Sequence, residues 1–117
     1  MRKIEVWMID TITLQRLASK AKLMNNGLDA LTATKDNTMI RTRLRCNSIA
    51  VTTVYLHGNM IAQLSDGEWG FNLAGWNTPT TKSRINALAK HWGRAGVHQK
   101  NNVLYSGDKQ INVHDWF

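Results

Sequence analysis

The sequence predicts an α+β domain in which an antiparallel β meander is packed by one or two α-helices and followed by a carboxyl-terminal β-hairpin. Three observations carry the prediction. Thr38 to Cys46 alternates apolar and basic side chains with a period of two. Turn-forming residues then break the chain at short intervals as far as Leu73. Finally, Thr78-Pro79 opens a stretch with apolar residues at helical spacing, and Gly93 closes it. A chain of 117 residues is about one domain's worth, so residues 1–117 are read as a single domain, and 43% apolar content is enough for a core without disulfides.

Ile4 to Ile9 is mostly apolar and reads as a short strand, after which Asp10, Thr11 and Thr13 offer capping oxygens for a helix. That helix carries Leu17, Ala18, Ala21 and Met24 on its apolar side and Arg16, Lys20 and Lys22 on its wetter side, and ends at Asn25-Asn26-Gly27. Leu28 to Asn37 reads as a loop with at most one helical turn. In the strand Thr38 to Cys46, Ile40, Thr42, Leu44 and Cys46 share the buried side, and Arg41, Arg43 and Arg45 share the other. Asn47-Ser48, His57-Gly58-Asn59 and Ser65-Asp66-Gly67 are read as turns between strands at Ile49 to Leu56, Met60 to Leu64 and Glu68 to Leu73. In the last of these, Trp69, Phe71 and Leu73 face the core.

The second helix, from Pro79 to about Trp92, buries Ile85, Leu88, Ala89 and Trp92. It leaves Lys82, Arg84, Asn86, Lys90 and His91 exposed, with Arg94 just beyond its end. No acidic residue lies between Trp69 and Gly107. Gly96 to Gln99, Asn102 to Ser106 and Lys109 to Val113 read as short strands.

Fifteen basic against eight acidic residues leave a net charge of +7, which favours polyanionic partners, either DNA or RNA or an acidic protein surface. No stretch has the roughly 18 to 20 apolar residues of a membrane span, and no signal peptide is apparent, so a cytoplasmic protein without membrane association is expected. Catalysis has no positive support. The four histidines are not spaced as metal ligands, and the single cysteine, Cys46, lies on the buried side of its strand. No phosphate-cradling glycine loop or nucleophile elbow is present. No cofactor is therefore expected.

Two groups of residues suit binding. Arg41, Arg43 and Arg45 recur at about 6.6 to 6.8 Å along one strand face, a spacing able to follow backbone phosphates. The same pattern also suits a solvated sheet face or an edge protected from aggregation. The amino end of the second helix gathers Thr80, Thr81, Lys82 and Arg84 near Trp76, which suits a phosphate; ordinary capping, which most helices need anyway, accounts for the threonines more readily. Were both groups to bind, they would make one continuous basic surface together with Lys90 and Arg94. Of the five tryptophans, Trp69 and Trp92 suit the core, while Trp76 and Trp116 suit contact with a base or partner, or packing back onto the fold.

Tyr55-Leu56-His57-Gly58-Asn59-Met60-Ile61-Ala62, followed by Ala74-Gly75-Trp76-Asn77-Thr78-Pro79-Thr80-Thr81-Lys82-Ser83-Arg84-Ile85-Asn86-Ala87-Leu88, resembles small accessory proteins of tailed bacteriophages. The resemblance covers about the central third of the chain and, more loosely, the carboxyl-terminal hairpin, and brings no assigned activity or site residue. It implies a phage protein made inside a bacterial host cell, of the kind that binds nucleic acid in host takeover. The alternative it implies is an inhibitor or adaptor that binds a bacterial host protein complex of defence, transcription or nucleic-acid metabolism.

Overall fold

A computed structural model describes residues 2–19, 30–44 and 49–117. Two helices, α1 (Lys3–Ser19) and α2 (Pro79–His91), accompany two antiparallel sheets. The larger sheet is a five-stranded meander in chain order: β1 (Leu31–Lys35), β2 (Thr38–Leu44), β3 (Ala50–Leu56), β4 (Asn59–Ser65) and β5 (Glu68–Phe71). The smaller holds β6 (His98–Lys100), β7 (Val103–Ser106) and β8 (Lys109–Ile111). The α+β class expected from the sequence is the class observed.

The segment Ile4 to Ile9 is helix, not strand. Ile4, Glu5, Met8, Ile9, Ile12 and Gln15 are the buried positions, a set that recurs with the 3.6-residue period. Asp10, Thr11 and Thr13 therefore lie inside α1 instead of capping it, and the Thr13 hydroxyl donates to the Ile9 carbonyl at 2.9 Å. The helix is also rotated from the expected phase. Leu17 is 79% exposed, whereas Arg16 turns toward the sheet and bonds the Thr52 hydroxyl at 3.2 Å and the Ala50 carbonyl at 3.4 Å. The continuation through Ala21 and Met24 to Gly27 lies outside the described residues.

β1 occupies part of the segment read as a loop. Its alanine and lysine are weak strand formers, and pairing with β2, Leu31 opposite Thr42 through Lys35 opposite Thr38, supplies the missing preference. Asp36 and Asn37 close this hairpin with φ of 48° and 64°, the left-handed pair that matches strand twist in a two-residue turn. The β3–β4 and β4–β5 turns place His57-Gly58 and Asp66-Gly67 in the same region. Arg45, Cys46 and the turn at Asn47-Ser48 lie outside the described residues.

Both helices pack on one face of the meander. Met8, Ile9 and Ile12 of α1 and Ile85, Leu88 and Ala89 of α2 join Ile40, Val54, Leu64, Trp69 and Phe71 in one hydrophobic cluster, which also takes in Leu104 and Ile111 of the small sheet. Trp69 stacks on Phe71 at 5.6 Å and meets Trp92 edge-on at 5.1 Å. Under α1 the sheet face is polar but paired: Thr42 donates to Gln15 Oε1 at 2.9 Å and lies 2.7 Å from the Thr52 hydroxyl, while Gln15 Nε2 reaches the Ile40 carbonyl at 3.1 Å. The amide of Asn86 clamps Val97 by two bonds, 2.9 Å to its carbonyl and 2.7 Å from its N–H. That clamp ties the approach to the small sheet onto α2.

Candidate nucleic-acid interface

Strand pleating places alternate residues of the meander on the face away from the helices, and register aligns them into rows. One row runs Thr32, Arg41, Thr53, Gln63, Gly70. Beside it lie Thr34, Met39, Tyr55 and Met60 on one flank and Arg43, Val51, Ser65 and Glu68 on the other. At about 4.8 Å between neighbouring strands, Arg41 and Gly70 lie about 14 Å apart. A Cβ placed on Gly70 would meet Trp116 Cε3 at 3.2 Å, so the indole of Trp116, 49% exposed, covers the far end of the central row. Backbone bonds of 2.8 and 2.9 Å between Phe71 and Phe117 hold it there.

Arg41 and Arg43 are both exposed on this face, and their side chains make no hydrogen bond or ion pair with any described residue. The face therefore carries two cations with no partner among the described residues at one side, with Thr53 and Val51 beside them buried, Glu68 at the opposite corner, and Tyr55, Met39, Met60 and Trp116 as apolar or aromatic surface. Sequence reading had singled out the arginines and Trp116. Tyr55, Gln63 and the methionines escaped it because their outward parity depends on the pairing with β2.

The second group of expected residues is divided by the fold. Arg84 is not on the exposed side of α2; it is 6% exposed, and its guanidinium meets Glu5 of α1 at 3.3 Å. Ser83 donates to the same carboxylate oxygen at 2.6 Å. Burial lowers the Arg84 pKa from its ordinary value, and the facing Glu5 carboxylate pulls it back up. Arg84 is thus a packing residue that joins the helices, because a buried guanidinium needs a carboxylate partner. Thr81 is buried too, with its hydroxyl 2.9 Å from that of the cap, Thr78, which accepts from the Thr81 N–H at 3.1 Å. Lys82 reaches Gln99 Oε1 at 3.1 Å, and Arg94 donates to the Trp69 carbonyl. Lys90 is exposed.

Trp76, Thr80 and Thr81 do come together. With Leu56, His57, Asn59, Ile61 and Thr78 they line a cleft of about 480 Å³ where the β3–β4 turn faces the amino end of α2. A bulge in β4 shapes it: Val54 pairs with Ala62 and Tyr55 with Met60, leaving Ile61 as the extra residue.

Because α2 packs on the inner face of the meander, Lys82, Lys90 and Arg94 belong to a different layer from Arg41 and Arg43. The two basic groups do not form one continuous surface. Among the described residues no helix is long and apolar enough to cross a membrane.

No curated protein and no solved structure matches the chain. The family model described as Kyanoviridae Gp96 protein matches residues 1–117. With the match running the whole length of the sequence, the chain belongs to this Kyanoviridae Gp96 family of bacteriophage proteins.

Proposed function

We propose that this phage protein acts by binding, and that its ligand is nucleic acid held against the outer face of the meander. The observation that carries the reading is the pair Arg41 and Arg43, exposed and without a described side-chain partner, on a face that also presents the half-buried Tyr55 and the exposed Trp116. Arginines neutralise phosphates, and exposed rings stack on bases of any sequence. A pleated face with side chains at strand spacing suits single strands, whose bases are free to stack. Glu68 marks the end of the surface, since a carboxylate repels the backbone.

The test is fluorescence polarisation with a labelled single-stranded oligonucleotide at two salt levels. Affinity is expected to fall as salt rises, with a slope of about 0.7 per phosphate contacted, and Arg41→Glu with Arg43→Glu should remove binding. Salt-insensitive binding, or retention by the double variant, would reject the face as the site. The alternative is an inhibitor or adaptor that docks on a bacterial host protein complex. It is favoured by the exposed apolar residues Val6, Leu14 and Leu17 of α1, 46%, 66% and 79% exposed. A stoichiometric partner that survives nuclease treatment of a host lysate, and is lost on Leu14→Glu, would favour that reading instead.

A further inference from the structure

The cleft between the β3–β4 turn and α2 has the make-up of a pocket for one flat, polar-edged ring. Its volume of about 480 Å³ lies within the roughly 300 to 1,000 Å³ range of small-molecule sites. Leu56 and Ile61, both buried, supply an apolar floor. Trp76 stands in the lining with 56% of its surface exposed. Its backbone is pinned on both sides: the Trp76 N–H donates to the Leu73 carbonyl at 2.9 Å, and the Thr78 N–H donates to the Trp76 carbonyl at 2.9 Å. The ring is therefore presented on a fixed chain, so little order has to be imposed when a ligand stacks on it.

The polar part of the lining is equally specific. The hydroxyls of Thr78 and Thr81 are occupied with each other, which leaves the Thr80 hydroxyl, the His57 imidazole and the Asn59 amide. Asn59 makes only a long bond of 3.4 Å from Nδ2 to the His57 carbonyl, and its Oδ1 has no described partner. An amide offers donors and an acceptor side by side, the complement of a heterocycle edge. A purely apolar occupant would leave these groups desolvated and unpaired, at a cost. No carboxylate lines the cleft, so nothing there repels a ligand that carries phosphate.

Position links the cleft to the sheet face. Along β2, the direction from Arg43 through Arg41 to Met39 leads to the end of the sheet where Tyr55 and Met60 flank the His57-Gly58 turn. The cleft lies on the other side of that turn.

We infer that the cleft between Trp76 and the β3–β4 turn binds a nucleobase, stacked on the Trp76 indole with its polar edge toward Asn59 and Thr80. The base comes either from a free nucleotide or from the end of a strand lying on the sheet. The choice of ligand class rests on the nucleic-acid reading above; the existence of the pocket does not.

Titration of the protein with each of the four ribonucleoside 5′-monophosphates, and separately with a short oligonucleotide, tests this by the indole N–H resonances in nitrogen-15 correlated NMR spectra. The Trp76 resonance is identified by its loss in Trp76→Phe. A saturable shift of that resonance is expected, with Trp116 unmoved by mononucleotides, and Asn59→Ala should weaken binding by about tenfold, equivalent to about 1.4 kcal/mol. A response to mononucleotides would mark a free-nucleotide pocket, whereas a response to the oligonucleotide alone would mark a strand-end pocket. No Trp76 shift with either at millimolar ligand, or a shift unchanged in Asn59→Ala, would overturn the inference. Arg41→Glu with Arg43→Glu separates the two sites: if oligonucleotide affinity collapses while Trp76 still responds to mononucleotides, both stand. If the oligonucleotide binds through Arg41 and Arg43 without moving Trp76, and mononucleotides do not move it either, the cleft fails alone.

Discussion

The covered and open faces of the meander are built from alternate residues of the same strands, and they use polar side chains in opposite ways. Where the helices cover the sheet, Arg84 is paired with Glu5 and Arg16 bonds Thr52, while the Thr38 hydroxyl, the Trp69 indole N–H and Arg84 Nε are buried without a hydrogen-bond partner among the described residues. On the open face Arg41 and Arg43 stand without one among the described residues. The difference teaches where function can reside. A charge under a helix is costly unless it is paired within the chain, because water is excluded there, whereas one on an open face is free to be satisfied by a ligand.

The comparison is broken most strongly at the buried pair. Arg84→Ala leaves the Glu5 carboxylate buried without its cation, held only by Ser83 among the described residues, and is expected to cost about 3 kcal/mol, read as a fall in the urea midpoint at constant slope. Replacing both members, Arg84→Met with Glu5→Gln, should recover a large part of the loss; no recovery would mean that shape rather than charge governs the site. Next in size is Gly96→Ala, whose Cβ would come within 1.9 Å of Asn86 Oδ1 and force open the clamp on Val97, for a cost of about 2 kcal/mol by the same denaturation. Thr42→Val removes a hydroxyl held by both Gln15 and Thr52, and about 1 to 2 kcal/mol is expected. On the open face, Arg41→Ala should change stability by less than about 0.5 kcal/mol while lowering the salt slope of oligonucleotide binding by about 0.7. A large stability loss there would mean that Arg41 is structural and would erase the contrast between the faces.

Much of the meander was legible because strands and tight turns write themselves locally. Ile40 and Thr42 were placed inward by alternation alone, and Thr78-Pro79 marked the start of α2 to the residue. The failures share a cause. Ile4 to Ile9 contains a helical set and a mostly apolar run at once, and only the partner surface, here the inner face of β2 and the first turns of α2, selects the helix. Leu31 to Lys35 has little strand preference of its own and becomes a strand by pairing. Arg84 matched its exposed neighbours in sequence, yet its partner Glu5 is 79 positions away, beyond any local pattern. Of the candidate site, Arg41, Arg43, Trp76 and Trp116 were visible as residue types. Their division into a sheet face and a separate cleft was not.

What the sequence alone determined is short-range: the alternation of the strands from Thr38 onward, the turns after Leu56 and Leu64, the helix cap, and an excess of positive charge. Tertiary structure alone decided which way α1 turns, which arginine is buried, and that the basic residues fall in two layers instead of one. The reason is physical. Backbone preference and side-chain alternation are properties of neighbours in the chain, whereas desolvation of a charge depends on whatever surface the finished fold lays over it.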